Sequence, residues 1–227
     1  MNVARAAKFR AMFLGHFALG FAAKPLAPRV SLGWLFVAAQ LCDVVWPVLV
    51  FAGVERVHID PCSSDFTPLT FDHYPWSHGL VCVAGWALAA GAVTWSVLRD
   101  RSAALIVALL VASHWLLDLV THVPDMPLGP WSTQRYGFGL WNHFGATLAV
   151  EGVLFAAGVA VYARRTRALD RIGSGAFVAF TLVLALLYLA AAFGPPPPDV
   201  NALAATMLGG ALLFVWAAWF DRHRAAR

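Results

Sequence analysis

The sequence predicts an all-α, polytopic transmembrane helical bundle, and three observations carry that class. Of 227 residues, 60% are hydrophobic and only 12% are charged, where an ordinary soluble domain carries about 25%. Mean hydropathy is +0.70. The apolar residues are gathered into runs long enough to cross a bilayer as helices, which takes about 20 residues each.

Taken in order, the runs at 31–54, 76–98, 102–121, 139–163, 172–193 and 201–220 predict six full spans. Ahead of them, about 9–23 is a short N-terminal membrane segment carrying His16, giving seven spans if it crosses. Arg5, Lys8 and Arg10 before Ala11–Ala23 imitate a secretory signal. His16 interrupts that apolar run, however, and Lys24–Pro25 follows without a small-x-small cleavage site, so the segment is expected to be retained.

With a cytoplasmic N-terminus and a first segment that does not cross, 14 of the 16 Lys and Arg fall inside, leaving Arg56 and Arg135 outside. A full crossing lowers the split to 11 against 5. The positive-inside rule therefore favours the first arrangement, in a bacterial plasma membrane, with a cytoplasmic C-terminus and the 55–75 and 122–138 loops outside. The net charge of +4 reports this topology, because its basic residues lie between apolar runs, and implies no nucleic-acid partner.

The whole chain, 1–227, reads as one integral membrane domain. Residues 10–155 hold its polar core, and 172–220 supply two accessory spans without a buried acid or histidine, joined by the stiff turn Pro195–Pro198. Cys42, Cys62 and Cys82 form no paired framework and are expected as free thiols.

The chemistry centres on Ser113–His122, SHWLLDLVTH. His114, Asp118 and His122 recur every four residues, so a helix stacks them on one face. Such residues are costly in a bilayer and are normally kept for a site or a polar pathway. An imidazole and a carboxylate one turn apart are also ligand types that Zn, Fe or Mn accept. His16, Asp43, His73, His78, His143 beside Asn142, and Glu151 lie at membrane depth or at its outer edge. The topology lets Asp43, His73, His78 and His143 meet His114, Asp118 and His122 in the outer half of the bundle, in a cavity open to the outside.

The sequence GHFALG, Asp43 in the second segment, DHYPWSH with its H–x4–H spacing, and SHWLLDLVT together resemble the YdjM-like membrane-bound metal-dependent hydrolase family over about residues 10–155. GLWNHFGATLAVE resembles a tail found in some relatives. The resemblance implies that His16, Asp43, His73, His78, His114 and Asp118 form the metal-site set. The chain departs from the family's THRxxTHS-type motif at Tyr74, where the arginine falls, and its acidic motif is reduced to Asp43.

The leading expectation is thus a divalent-metal hydrolase, with Zn first and Mn or Fe as alternatives, acting on a lipid or membrane-delivered ester, with a phosphoester the preferred class. Asp43, His78, His114 and Asp118 would hold the ion, with His16 joining them or binding a second. His73 or Glu151 would take the proton, and His122, Asn142 and His143 would support the ligands. Two alternatives use the same residues: a proton- or metal-coupled transporter, and a structural protein whose polar groups tie helices together.

Overall fold

The computed structural model describes residues 13–60 and 62–227, so the expectations for Arg5, Lys8 and Arg10 lie outside the described residues. The chain is mostly helical. Five helices, or helix pairs running straight on, are long and apolar enough to span a membrane: α5 (Leu80–Leu98), α6 (Arg101–Thr121), α7 (Phe144–Arg165), α8 (Arg171–Phe193) and the joined α9 (Val200–Gly209) and α10 (Ala211–Asp221). A sixth is α2 (Leu32–Ala39) with α3 (Leu41–Phe51), which the sequence presents as one run, 31–54. The structure breaks it at Gln40 by 60°. Pro47 inside α3 cannot donate a backbone hydrogen bond, and this loosens the half that carries Asp43.

α1 (Leu14–Ala23) has ten residues, about 15 Å of helix, half the hydrocarbon thickness. It does not cross by itself. Its C-terminal end is fixed by Lys24, whose Nζ lies 2.6 Å from Asp221 Oδ2. The same Asp221 accepts from Leu32 N at 3.0 Å and from the Tyr162 hydroxyl at 2.8 Å. Every described Lys and Arg except Arg56 and Arg135 lies at this basic end of the bundle.

Two glycines let backbones touch. A Cβ at Gly158 of α7 would stand 2.3 Å from the Ala18 carbonyl oxygen of α1, and one at Gly33 of α2 would stand 2.3 Å from that of Phe214 in α10. Small residues at helix crossings are how membrane bundles pack closely without a hydrophobic drive between helices. Between these crossings the half of the bundle nearer the basic end is filled by aromatic rings. Phe36 and Phe180 stack at 5.7 Å, Phe17 and Phe21 meet Phe36 edge-on, and Phe21, Phe36, Phe180 and Phe220 are wholly buried.

Among the described residues, three small antiparallel pairs accompany the helices. β1 (Arg56–Ile59) pairs with β2 (Leu69–His73), β3 (Met126–Pro127) with β4 (Arg135–Tyr136), and β5 (Thr166–Ala168) with β6 (Arg224–Ala226). All lie in connections beyond the spans, where each backbone must find partners without a helix. The first two cover the end of the bundle opposite the basic one, together with the short helix α4 (Pro75–His78). The 139–163 run also begins as a helix only at Phe144, because Leu140–Asn142 forms a single 3₁₀ turn.

Candidate metal centre

α6 supplies His114 and Asp118 one turn apart, near its end away from the basic face, both buried. α1 brings His16 against them: its Nε2 is 3.2 Å from Asp118 Oδ1, and its ring stacks on that of His114. α3 contributes Asp43, and α4 contributes His78, buried at the start of α5. His114 Nε2 lies 3.1 Å from Asp118 Oδ2 and 3.8 Å from Asp43 Oδ1. His78 Nε2 lies 3.5 Å from Asp43 Oδ1 and 3.8 Å from Asp118 Oδ2. Four elements that are remote in sequence thus converge on one point.

The protons can be placed. His114 Nδ1 is 2.8 Å from the Ala39 carbonyl, which can only accept, so Nδ1 is the donor. The α2–α3 break beside Ala39 sits next to this contact. Glu55, buried, accepts from the backbone N–H groups of Trp76 and Ser77 at 2.8 and 2.9 Å and from Ser77 Oγ at 2.6 Å. Because its proton points to Glu55, Ser77 Oγ accepts from His78 Nδ1 at 2.7 Å. In the neutral form, the one that binds metal, both rings would therefore turn a lone-pair Nε2 toward the carboxylates, and His114 Nε2 is buried without a hydrogen-bond partner.

A cation is the group that satisfies such a set. Nitrogen and oxygen ligands lie about 2.0–2.1 Å from a tetrahedral Zn ion and hence about 3.3 Å from each other; the ion-pair separations here run from 3.1 to 3.8 Å. Two overlapping groups, His16–His114–Asp118 and Asp43–His78–His114, each keep one ligand atom per residue within 4.8 Å of the others. These buried His/Asp groups could hold a metal ion.

The remaining sequence candidates are placed elsewhere. His122 ends α6 and lines the cavity beside the cluster, with Nδ1 2.9 Å from Asp125 Oδ1 and its ring against Trp141 at 4.0 Å. His73 closes β2 and is no part of the cavity wall. Asn142 and His143 are exposed at the start of α7. Glu151 is wholly buried but serves α1: its Oε2 accepts from the backbone N–H groups of Phe13 and Leu14, and its Oε1 from the Tyr188 hydroxyl. A carboxylate there satisfies donors left open at a helix start. Sequence reasoning missed Glu55, Ser77 and Asp125, although the Ser77–His78 adjacency and the acid-rich 55–75 loop carried a hint.

Over the cluster lies a cavity of about 270 Å³, walled mainly by apolar side chains from α3, α8, α9 and α10 and by Phe71 and Trp141 from the covering loops. Helices of this length and composition around buried ionisable residues define a polytopic integral membrane protein with a candidate intramembrane metal centre. More particularly, the family model for the YdjM inner membrane protein matches residues 12–198, and the chain belongs to that family. Neither the curated proteins nor the solved structures give a match to it.

Proposed function

We propose that this protein is a divalent-metal-dependent hydrolase of the inner membrane, acting on a lipid or other membrane-delivered ester. The observation that carries this reading is the meeting of His114 Nε2 and His78 Nε2 with the Asp43 and Asp118 carboxylates, at the floor of an apolar cavity. Asp43, His78, His114 and Asp118 hold one ion, most simply Zn, and His16 completes or steadies the set. When bound, such an ion supplies polarisation of the scissile ester and a more acidic water.

The protein's own groups do the rest. Glu55, through Ser77, keeps His78 Nδ1 protonated and the Nε2 lone pair aimed inward. His122 takes the role of proton acceptor in preference to His73 or Glu151. Asp125 engages its Nδ1, so Nε2 is the nitrogen left for exchange, and a His within the cavity wall can reach a substrate there. The Tyr74 hydroxyl also donates to Asp125 Oδ1, at 2.8 Å, and fixes the pair.

The positive-inside rule puts the basic end in the cytoplasm, with the C-terminus, and opens the site outward. A transporter needs access from both faces. The buried Phe17, Phe21, Phe36 and Phe180 between the cluster and the basic end speak against that second access. Elemental analysis of detergent-purified protein tests the proposal. Near-stoichiometric Zn, Mn or Fe in the wild type, lost from folded Asp118→Ala and His114→Ala, is the expected result. Folded wild type that is metal-free and takes up none on soaking would end it.

A further inference from the structure

We infer that the cavity over the cluster binds one acyl chain of a membrane lipid, admitted sideways between α8 and α9, and that α9–α10 sets the length of chain accepted. The inference deepens the hydrolase reading and rests on it for the ester at the polar end. Occupancy by a chain stands on the cavity alone.

The lining is divided as an amphiphile is. Its ionisable groups, Asp43, His78, Asp118 and His122, belong to the cluster or adjoin it, whereas Leu187, Ala191, Leu203, Met207 and Leu213 make the opposite wall. Among the described residues no Lys or Arg lines the space. It fits the apolar part of the molecule, with the bond to be cut next to the carboxylates. Ligand sites are generally clefts lined mostly by apolar residues with a few placed polar groups, of about 300–1,000 Å³; this cavity, at about 270 Å³, suits a slender ligand.

The mouth faces lipid. Leu187 lines the cavity and is also 45% exposed on the span-forming part of α8. The reason is a change of partner at Gly210: α10 packs on α8 and α2, while α9 packs on α3. α8 and α9 are not packed closely on each other, and both line the cavity. The α9–α10 wall also lies beyond residue 198, where the family match ends, so the part that measures the chain belongs to a region the family model does not describe.

The test is photolabelling of the detergent-purified full-length protein with a diazirine-tailed fatty acid, followed by peptide mapping. Labelling is expected around Leu187 and Met207, suppressed by excess unlabelled fatty acid and cut several-fold in Ala191→Phe, which fills the wall. Met207→Ala, which enlarges the space, should shift preference among unlabelled competitors toward longer chains. Labelling should persist in Asp118→Asn, whose cluster is disabled. Label spread evenly over lipid-facing positions such as Leu182 and Leu212, and indifferent to both wall variants, would overturn the inference. Wild type that carries metal but shows no cavity labelling removes the acyl-chain site and leaves the hydrolase reading standing. Specific labelling of a metal-free wild type does the reverse.

Discussion

His16 and His114 stack their imidazoles 3.9 Å apart between ring centroids and 10° from parallel, across the contact between α1 and α6. Two imidazolium ions so placed would repel each other, so the arrangement suits neutral rings sharing an ion with Asp118, as ligands must be. His16→Ala should therefore lower metal affinity at least about tenfold, the smaller end of what the loss of even a supporting group costs. Competition with a chromophoric chelator measures it. Unchanged affinity would leave His16 a stacking role alone.

Ser77 touches no proposed substrate, yet it sets which nitrogen of His78 is protonated. Ser77→Ala breaks the link from Glu55 and should weaken metal binding about 10–100-fold, whereas Ser77→Thr, which keeps the hydroxyl, should restore most of it. Equal losses in both variants would point to packing instead.

The crossing at Gly158 fixes the depth of α1, and with it His16. With a Cβ only 2.3 Å from the Ala18 carbonyl oxygen, Gly158→Leu must push the helices apart. Overpacking of this kind costs about 1–3 kcal/mol. The variant should melt earlier in detergent and lose metal together; a normal melting temperature with full metal content would show that α1 can shift without consequence.

Asp221 is the anchor at the other end of α1. Its removal strands Lys24, whose side chain is only 14% exposed, and leaves Leu32 N and the Tyr162 hydroxyl without their acceptor. Asp221→Ala should cost about 3 kcal/mol, read as a fall in thermal midpoint. Metal affinity of the fraction that remains folded should be little changed.

Outside the membrane, on the β1–β2 hairpin, His58 Nδ1 lies 2.8 Å from Asp72 Oδ2. That hydrogen bond raises the His58 pKa above its ordinary 6.5. The pair's contribution is thus fully present below pH 6.5 and is lost as pH rises through the raised value. Because both side chains are largely exposed, the effect on stability should be small. NMR titration of the His58 ring should show the elevated value, and Asp72→Asn should return it toward 6.5.

Much of the centre was legible because its signal is local. The i, i+4 spacing of His114 and Asp118 needs only a helix to become a face, and polar residues inside long apolar runs declare their own importance. Asp43 and His78 followed from depth along their spans, and His16 from the family resemblance. What stayed hidden depended on direction rather than depth. Hydropathy does not show that 31–54 bends at Gln40, a bend that lies beside the Ala39 carbonyl bonded to His114. Nor does it show that Glu151 turns to the start of α1 rather than to the cavity. His122 and Asp125 are three residues apart across a helix end, where no periodic pattern marks a pair. The short strands lack the length to show alternation.

The two clasps on α1 also govern when the site can come into being. Leu14 is held by Glu151, 137 residues later, and Lys24 by Asp221, 197 residues later. During synthesis α1 precedes both partners, and it gains the first only with α7 and the second only with α10. The earliest of the clustered residues in the sequence thus lies on a helix whose second clasp is made only by Asp221, after every other clustered residue. Arrival of α10 therefore governs when α1 is held at both ends.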